Sequence, residues 1–347
     1  MRRAVPICLI GLVLAALATR PAVCEGHLQP SDSRDGLVLR VEDRLASAHT
    51  ADGRVQRTRL RPAERLLSVH ELESGWIAAG IRLLDGGAEL LLVEQSGAGL
   101  RRLGVPAAPG AGGPLLRTRP VVLTSDGRMV GLAWLEGTPG EPLGVRAARR
   151  AEEGGWEAPA PVSPAGRRSQ TGLVGAVLPD GRWLLAWSRF DGTDDELVWS
   201  LGDLTGWSSP RAVHEPNDAA DVTPTLFAGP DAVLLAWSRM VDAEYRVLTA
   251  RWNGAGFEGA RPVTGPGSLY PSFAGLDGDP YLIVRRARAP GWGLLDVDRG
   301  GAVLRRAEVA SGEGGRPALV GSSGNQAQIL LASDATPRQA TWEAVDR

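Results

Sequence analysis

Six positions spread along the chain carry side chains suited to holding a ligand: Arg61, Arg119, Gln170, Thr223, Tyr270 and Arg316. Five of them stand directly before a proline, at Arg61-Pro62, Arg119-Pro120, Thr223-Pro224, Tyr270-Pro271 and Arg316-Pro317; Gln170-Thr171 takes the corresponding place in the remaining segment. Three are guanidinium groups. Each donates two parallel hydrogen bonds, so three converging on one pocket suit a carboxylate. A second group comprises Arg189, Arg239 and Arg285, with Glu136, Asp191, Asp194, Asp195, Asp242 and Glu244 nearby in the chain. Such mixed charge fits a sugar or a partner, and it is equally the composition of a solvated rim. The tyrosines are Tyr245, Tyr270 and Tyr281. Only Tyr270 shares a position with the first set, which makes it a weak candidate for a catalytic nucleophile.

Much other chemistry is excluded. All 38 basic residues are arginine, which removes Schiff bases, a pyridoxal anchor and the lysine of a phosphate loop. The four histidines (His27, His49, His70, His214) show no metal-ligand spacing, and no HExxH or CxxC occurs. No metal and no cofactor are therefore expected. With 38 basic and 40 acidic side chains, the chain lacks the charge of a bulk nucleic-acid binder.

What must position these residues is legible from self-similarity. The segments Leu132-Ala133-Trp134, Leu185-Ala186-Trp187-Ser188-Arg189 and Leu235-Ala236-Trp237-Ser238-Arg239 recur at spacings of 53 and 50 residues. Weaker copies lie at Ile77-Ala78-Ala79, Leu282-Ile283-Val284-Arg285 and Leu330-Leu331-Ala332-Ser333, giving six in all. Ahead of each comes a strand start, led by a proline except at Gln170-Thr171, then a turn such as Asp126-Gly127, Asp180-Gly181 or Asp277-Gly278. Behind it come a third strand and a fourth with a Gly-aromatic start, as at Gly206-Trp207 or Gly256-Phe257. Each copy is thus four short strands.

In Trp183–Arg189 one face carries Trp183, Leu185 and Trp187, and the other Leu184, Ala186 and Ser188. Both faces are apolar, one bulky and one small, as in a sheet stacked between two neighbours. Four-stranded sheets stacked around an axis form a β-propeller, and six copies predict six blades. The last copy has room for only three strands, the third near Ala340–Trp342. Gly36-Leu37-Val38-Leu39-Arg40 resembles a fourth strand and is expected to complete that blade, joining the chain ends and hiding an edge. Blades six, one and two would then be neighbours, with Arg316, Arg61 and Arg119 in one arc.

The repeat resembles the bacterial neuraminidase (sialidase-like) repeat. The resemblance is carried by the Pro-led first strands Val222-Thr223-Pro224-Thr225-Leu226-Phe227 and Leu269-Tyr270-Pro271-Ser272-Phe273-Ala274, by Leu-Ala-Trp-Ser-Arg, and by the Gly-Trp-Ser-x-Pro start of the fourth strand. It spans roughly residues 36–347. The family's Asp-box is only approximated by Ser200–Trp207, and its Arg-Ile-Pro signature is absent. The resemblance implies a substrate carboxylate held by an arginine triad, and catalysis by a tyrosine nucleophile with a glutamate and an aspartate. No glutamate can be assigned beside Tyr270.

At the N-terminus, basic Met1–Arg3, apolar Pro6–Ala18 and small residues after it have the layout of a secretory signal peptide, too short to span a membrane. Cleavage is expected within 18–24, leaving a linker over 25–35 and the propeller over 36–347. Lipid attachment at Cys24 is an alternative with a poor preceding motif. The reading is an exported, monomeric, six-bladed propeller at the cell envelope, in the periplasm or outside the cell. It binds a glycan or a surface protein through its axial face; the alternative is an exo-sialidase-type glycoside hydrolase.

Overall fold

A computed structural model describes residues 26–28, 38–42, 45–49, 55–73, 75–85, 87–96, 99–106, 120–137, 142–163, 170–203, 206–288, 291–310, 316–330 and 338–345. Among them there is no helix, and so none long and apolar enough to cross a membrane. The alternating apolar runs form antiparallel strands closed by tight turns, and the chain folds as a β-propeller. Each of the six sequence copies makes one sheet. Their strands begin with Glu64–Leu72, Val121–Ser125, Gln170–Val177, Asp221–Ala228, Ser268–Leu276 and Ala318–Ser323. In the first five, the second strand carries the copy of the Leu-Ala-Trp segment, for example Trp183–Phe190 and Val233–Val241; of the sixth copy only Leu330 lies among the described residues, at the end of Gln326–Leu330.

The N-terminal segment departs from expectation. Gly26–Leu28, Val38–Glu42, Leu45–His49 and Val55–Arg59 form a four-stranded sheet of their own, so the described residues contain seven sheets. Val38–Glu42 does not complete the last sheet: one edge pairs with Gly26–Leu28 and the other with Leu45–His49, which leaves no free edge. Gly26–Leu28 is a strand inside the stretch expected to be a linker. The final sheet does have three strands, Ala318–Ser323, Gln326–Leu330 and Arg338–Thr341. The chain then runs on, and Glu343–Ala344 adds to the outer edge of the preceding sheet by pairing with Arg305 and Arg306.

Every large apolar cluster lies between two successive sheets, which is what stacked blades require. Trp183, Leu185 and Trp187 pack back against Leu123, Ala133 and Val145 of the preceding sheet. Leu184 and Ala186, on the opposite face, pack forward against Leu226, Leu235 and Trp237. The bulky and small faces thus meet as the alternation implied. Trp134, Trp187 and Trp237 are among the largest fully buried side chains. Burying about 150–250 Å² each, at about 25 cal/mol per Å² they contribute an upper bound of roughly 4–6 kcal/mol apiece. The N-terminal sheet joins the series, with Ala46 and Ala48 against Leu66, Trp76 and Val93.

First strands of successive sheets touch, which places them innermost. Ser68 donates to the Pro120 carbonyl at 3.2 Å, and the Phe273 N–H donates to Thr225 Oγ1 at 3.2 Å. Three inner strands share an irregularity near their start. The register jumps between Thr171 and Val174, between Val222 and Thr225, and between Leu269 and Ser272. Such bulges bend the strand and re-aim side chains.

Candidate binding site on the inner-strand rim

Each bulge holds one residue with a left-handed backbone: Gly172 (φ 64°), Thr223 (φ 53°) and Tyr270 (φ 53°). Glycine takes this conformation freely, whereas threonine and tyrosine are strained in it. The three are neighbours. A Cβ on Gly172 would stand 2.7 Å from Pro224 Cδ. Ser238 Oγ bonds Thr223 Oγ1 at 2.8 Å and accepts the Tyr270 N–H at 3.1 Å. Tyr270 is 50% exposed, and Tyr245 and Asp195 are close enough to influence each other. Burial first, then Tyr270 and Asp195, holds the Tyr245 phenol above its ordinary pKa. Burial, then the charge of Asp194, raises the Asp195 carboxyl.

This register revises two equivalences read from sequence. Gly172, not Gln170, occupies the position of Thr223 and Tyr270. Gln170 pairs with Arg189 as Asp221 pairs with Arg239 and Ser268 with Arg286. Gln170 is buried and donates to the Leu143 carbonyl at 2.9 Å. Arg286, not Arg285, is the counterpart of Arg189 and Arg239; it bonds Ser268 and Glu308, while Arg285 is exposed. The third copy has Leu173 where the other two have the proline, so an alignment anchored on the prolines has nothing to hold it there.

The guanidinium arc is not assembled from the described residues. Arg61 is exposed, with its backbone N–H on Glu64. Arg316 donates to Ser272 at 2.6 Å. The N-terminal sheet also stands in the chain order just before Arg61, and Arg119 lies outside the described residues. Glu136 is used internally, accepting from Trp134 Nε1 at 2.9 Å and from Arg146 at 2.7 Å.

The densest polar group was not anticipated from sequence. Asp221, fully buried at the start of its inner strand, accepts at Oδ1 from Trp237 Nε1 (2.7 Å) and Arg239 Nε (2.8 Å). Its Oδ2 accepts from Arg239 Nη2 (2.8 Å) and lies 2.8 Å from His214 Nε2. The His214 ring stacks on Trp237, 5.8 Å between centroids at 18°. Glu196, from the third strand of the preceding sheet, accepts at Oε1 from the Asn217 N–H at 3.0 Å, while its buried Oε2 has no partner. Both carboxylate oxygens of Asp194 are likewise buried without a partner.

Burial works against the charged forms throughout this group. At Asp221 the hydrogen bonds from His214 and Arg239 outweigh it and the pKa falls. At His214 the bonds to Asp221 and the Glu215 carbonyl outweigh it and the pKa rises. At Glu196 and Asp194 burial dominates, neighbouring carboxylates add to it, and both pKa values are raised. His214 escaped notice because Glu196, His214 and Asp221 come from a strand, a connection and the next sheet, at spacings of 18 and 7 residues that form no local motif.

The chain matches no family model and no curated protein. Among solved structures it is similar to a PL25 ulvan lyase bound to -[GlcA(1-4)Rha3S]-, with TM-score 0.57 and 10% identity over 92% of this chain and 95% of that one. It is similar to polysaccharide lyase Uly1, with TM-score 0.55 and 10% identity over 92% and 90%. It is also similar to puromycin hydrolase, with TM-score 0.57 and 18% identity over 87% of this chain and 50% of that one. At these identities the likeness is one of fold.

Proposed function

We propose that this propeller is an exported carbohydrate-recognition module that binds through the rim carrying Tyr270. One observation carries the reading. The starts of the first strands and the ends of the second strands lie on one face, and five of the six exposed large hydrophobic side chains among the described residues are there: Leu83, Leu84, Phe190, Met240 and Tyr270. Water-exposed apolar groups concentrated on one face mark a recognition surface. Tyr270 offers a flat ring for stacking on a sugar, fixed by a strained backbone, with the Tyr245 hydroxyl near it to bond sugar hydroxyls. Polysaccharide-acting enzymes among proteins of similar fold support the choice of a glycan over a protein.

A glycan array probed with the intact protein and with Tyr270→Ala tests this. Binding to a glycan class, weakened tenfold or more (about 1.4 kcal/mol) in the variant, is expected. No glycan bound, or affinity untouched by the substitution, would overturn it. The burial-raised Asp195 carboxyl, which like Tyr270 acts on the Tyr245 phenol, favours a second reading, exo-sialidase-type hydrolysis, because such a group can hold a proton to donate. Turnover of a fluorogenic sialoside abolished by Tyr270→Phe would select it, and no turnover by folded protein would remove it. Export rests on the N-terminal signal layout; mass spectrometry of the mature N-terminus should find it starting between residues 19 and 25.

A further inference from the structure

We propose that Glu196, His214 and Asp221 form a binding site for a divalent cation of the zinc class, sharing no residue with the Tyr270 site. One ligand atom from each lies within 4.8 Å of the other two, and His214 Nε2 stands 3.9 Å from Glu196 Oε2 and 2.8 Å from Asp221 Oδ2. The site bridges two blades, since Glu196 belongs to the strand Asp195–Asp203 and Asp221 opens the strand Asp221–Ala228.

Three features distinguish it from an ordinary buried polar network. The first is an orphaned acceptor. Glu196 is only 6% exposed, yet its Oε2 has no hydrogen-bond partner and lies 3.9 Å from His214 Nε2. Leaving a buried carboxylate oxygen unmade is costly. Its Oε1 is held by the Asn217 N–H, which fixes where Oε2 points.

The second is the tautomer. His214 Nδ1 lies 2.7 Å from the Glu215 carbonyl, which can only accept, so Nδ1 carries the hydrogen. A ring N–H bonded to a backbone carbonyl is the usual support of a metal-bound histidine. In the neutral ring Nε2 then presents a lone pair to Asp221 Oδ2 at 2.8 Å, while Arg239 Nη2 sits 2.7 Å from the same nitrogen. A proton on Nε2 serves Asp221 but opposes the guanidinium; a lone pair serves the guanidinium but opposes Asp221. Neither state satisfies both neighbours. A cation held by Nε2, Oδ2 and Oε2 takes the place of Arg239 Nη2, which turns away, and serves the orphaned Glu196 oxygen, with Arg239 Nε and Trp237 Nε1 still fixing Asp221 through Oδ1.

The third is charge. Glu196 and Asp221 supply two carboxylates, and the guanidinium among them, Arg239, lies on Asp221. A divalent ion matches the two carboxylates. One imidazole with two carboxylates suits zinc or its first-row neighbours better than calcium or magnesium, which take oxygen ligands alone.

The test is a zinc titration of the full chain after chelator treatment, followed by calorimetry and by the rise in melting temperature. One equivalent should bind and raise the melting temperature. His214→Ala and Glu196→Gln should each weaken binding at least tenfold. Glu196→Gln keeps the shape of the side chain and the Asn217 contact, so it folds and separates loss of the site from loss of the protein. His70→Ala, on another blade, should bind as wild type. Absence of saturable zinc binding, binding unchanged in both ligand variants, or preference for calcium or magnesium in competition would overturn the assignment. Since Tyr270→Ala leaves all three ligands intact, failure of glycan recognition and failure of this site are read separately.

Discussion

Glu64 and Glu196 are both buried carboxylates near the edge of a blade, and they are treated in opposite ways. Glu64 is fully served. Arg102 donates to both its oxygens at 2.9 and 2.7 Å, the Arg61 N–H adds a bond at 2.8 Å, and Arg82 stands at 3.6 Å. Its pKa is lowered, first by the Arg102 hydrogen bonds. Glu196 receives the Asn217 amide at one oxygen, nothing at the other, and its pKa is raised by burial. A carboxylate whose bonds are complete is part of the scaffold. One kept buried with an open valence is a cost the fold bears for something else.

Stability measurements can break this contrast. The largest effect is expected for Asp221→Ala, which strands Arg239 and the Trp237 N–H; urea unfolding should show a loss of about 3–5 kcal/mol. Next, Glu64→Gln should cost about 1.5–3 kcal/mol through its charge-assisted bonds, whereas metal-free Glu196→Gln should change stability by no more than about 0.5 kcal/mol or raise it. Equal losses at the two positions would erase the distinction.

The Glu64 effect also has a pH signature. Because its folded pKa lies below the unfolded value of 4.5, its contribution is complete above that value and disappears as pH falls through the folded pKa. The gap between wild type and Glu64→Gln should therefore be constant near neutrality and close in acid. A gap that widens in acid would reverse the assignment.

The smallest effect concerns the tryptophans. Trp237 Nε1 is bonded to Asp221, while the equivalent Trp187 Nε1 is buried without a partner. Replacing each by Phe should cost about 1 kcal/mol more at 237 than at 187.

The blades were legible because their packing is written locally. The alternation Trp183-Leu-Leu-Ala-Trp187 fixes which face meets which neighbour, and the structure keeps that order. The N-terminal sheet was missed because its second strand, Val38-Leu39-Arg40-Val41-Glu42, carries no copy of the Leu-Ala-Trp segment. The inner-rim register slipped by two in the third copy because Leu173 stands where the other two strands carry the anchoring proline. The Glu196–His214–Asp221 group could not be read at all. Its members meet only when two blades stack, and no local pattern encodes a meeting of that kind.

The short run Glu343–Ala344, laid on the edge of Val303–Ala310, has a practical consequence. The polypeptide visits the seventh sheet and then reaches back to the sixth, so the two are laced together by its tail. A chain clipped before residue 343 would unlace them and bare a row of backbone donors and acceptors to any extended peptide in solution.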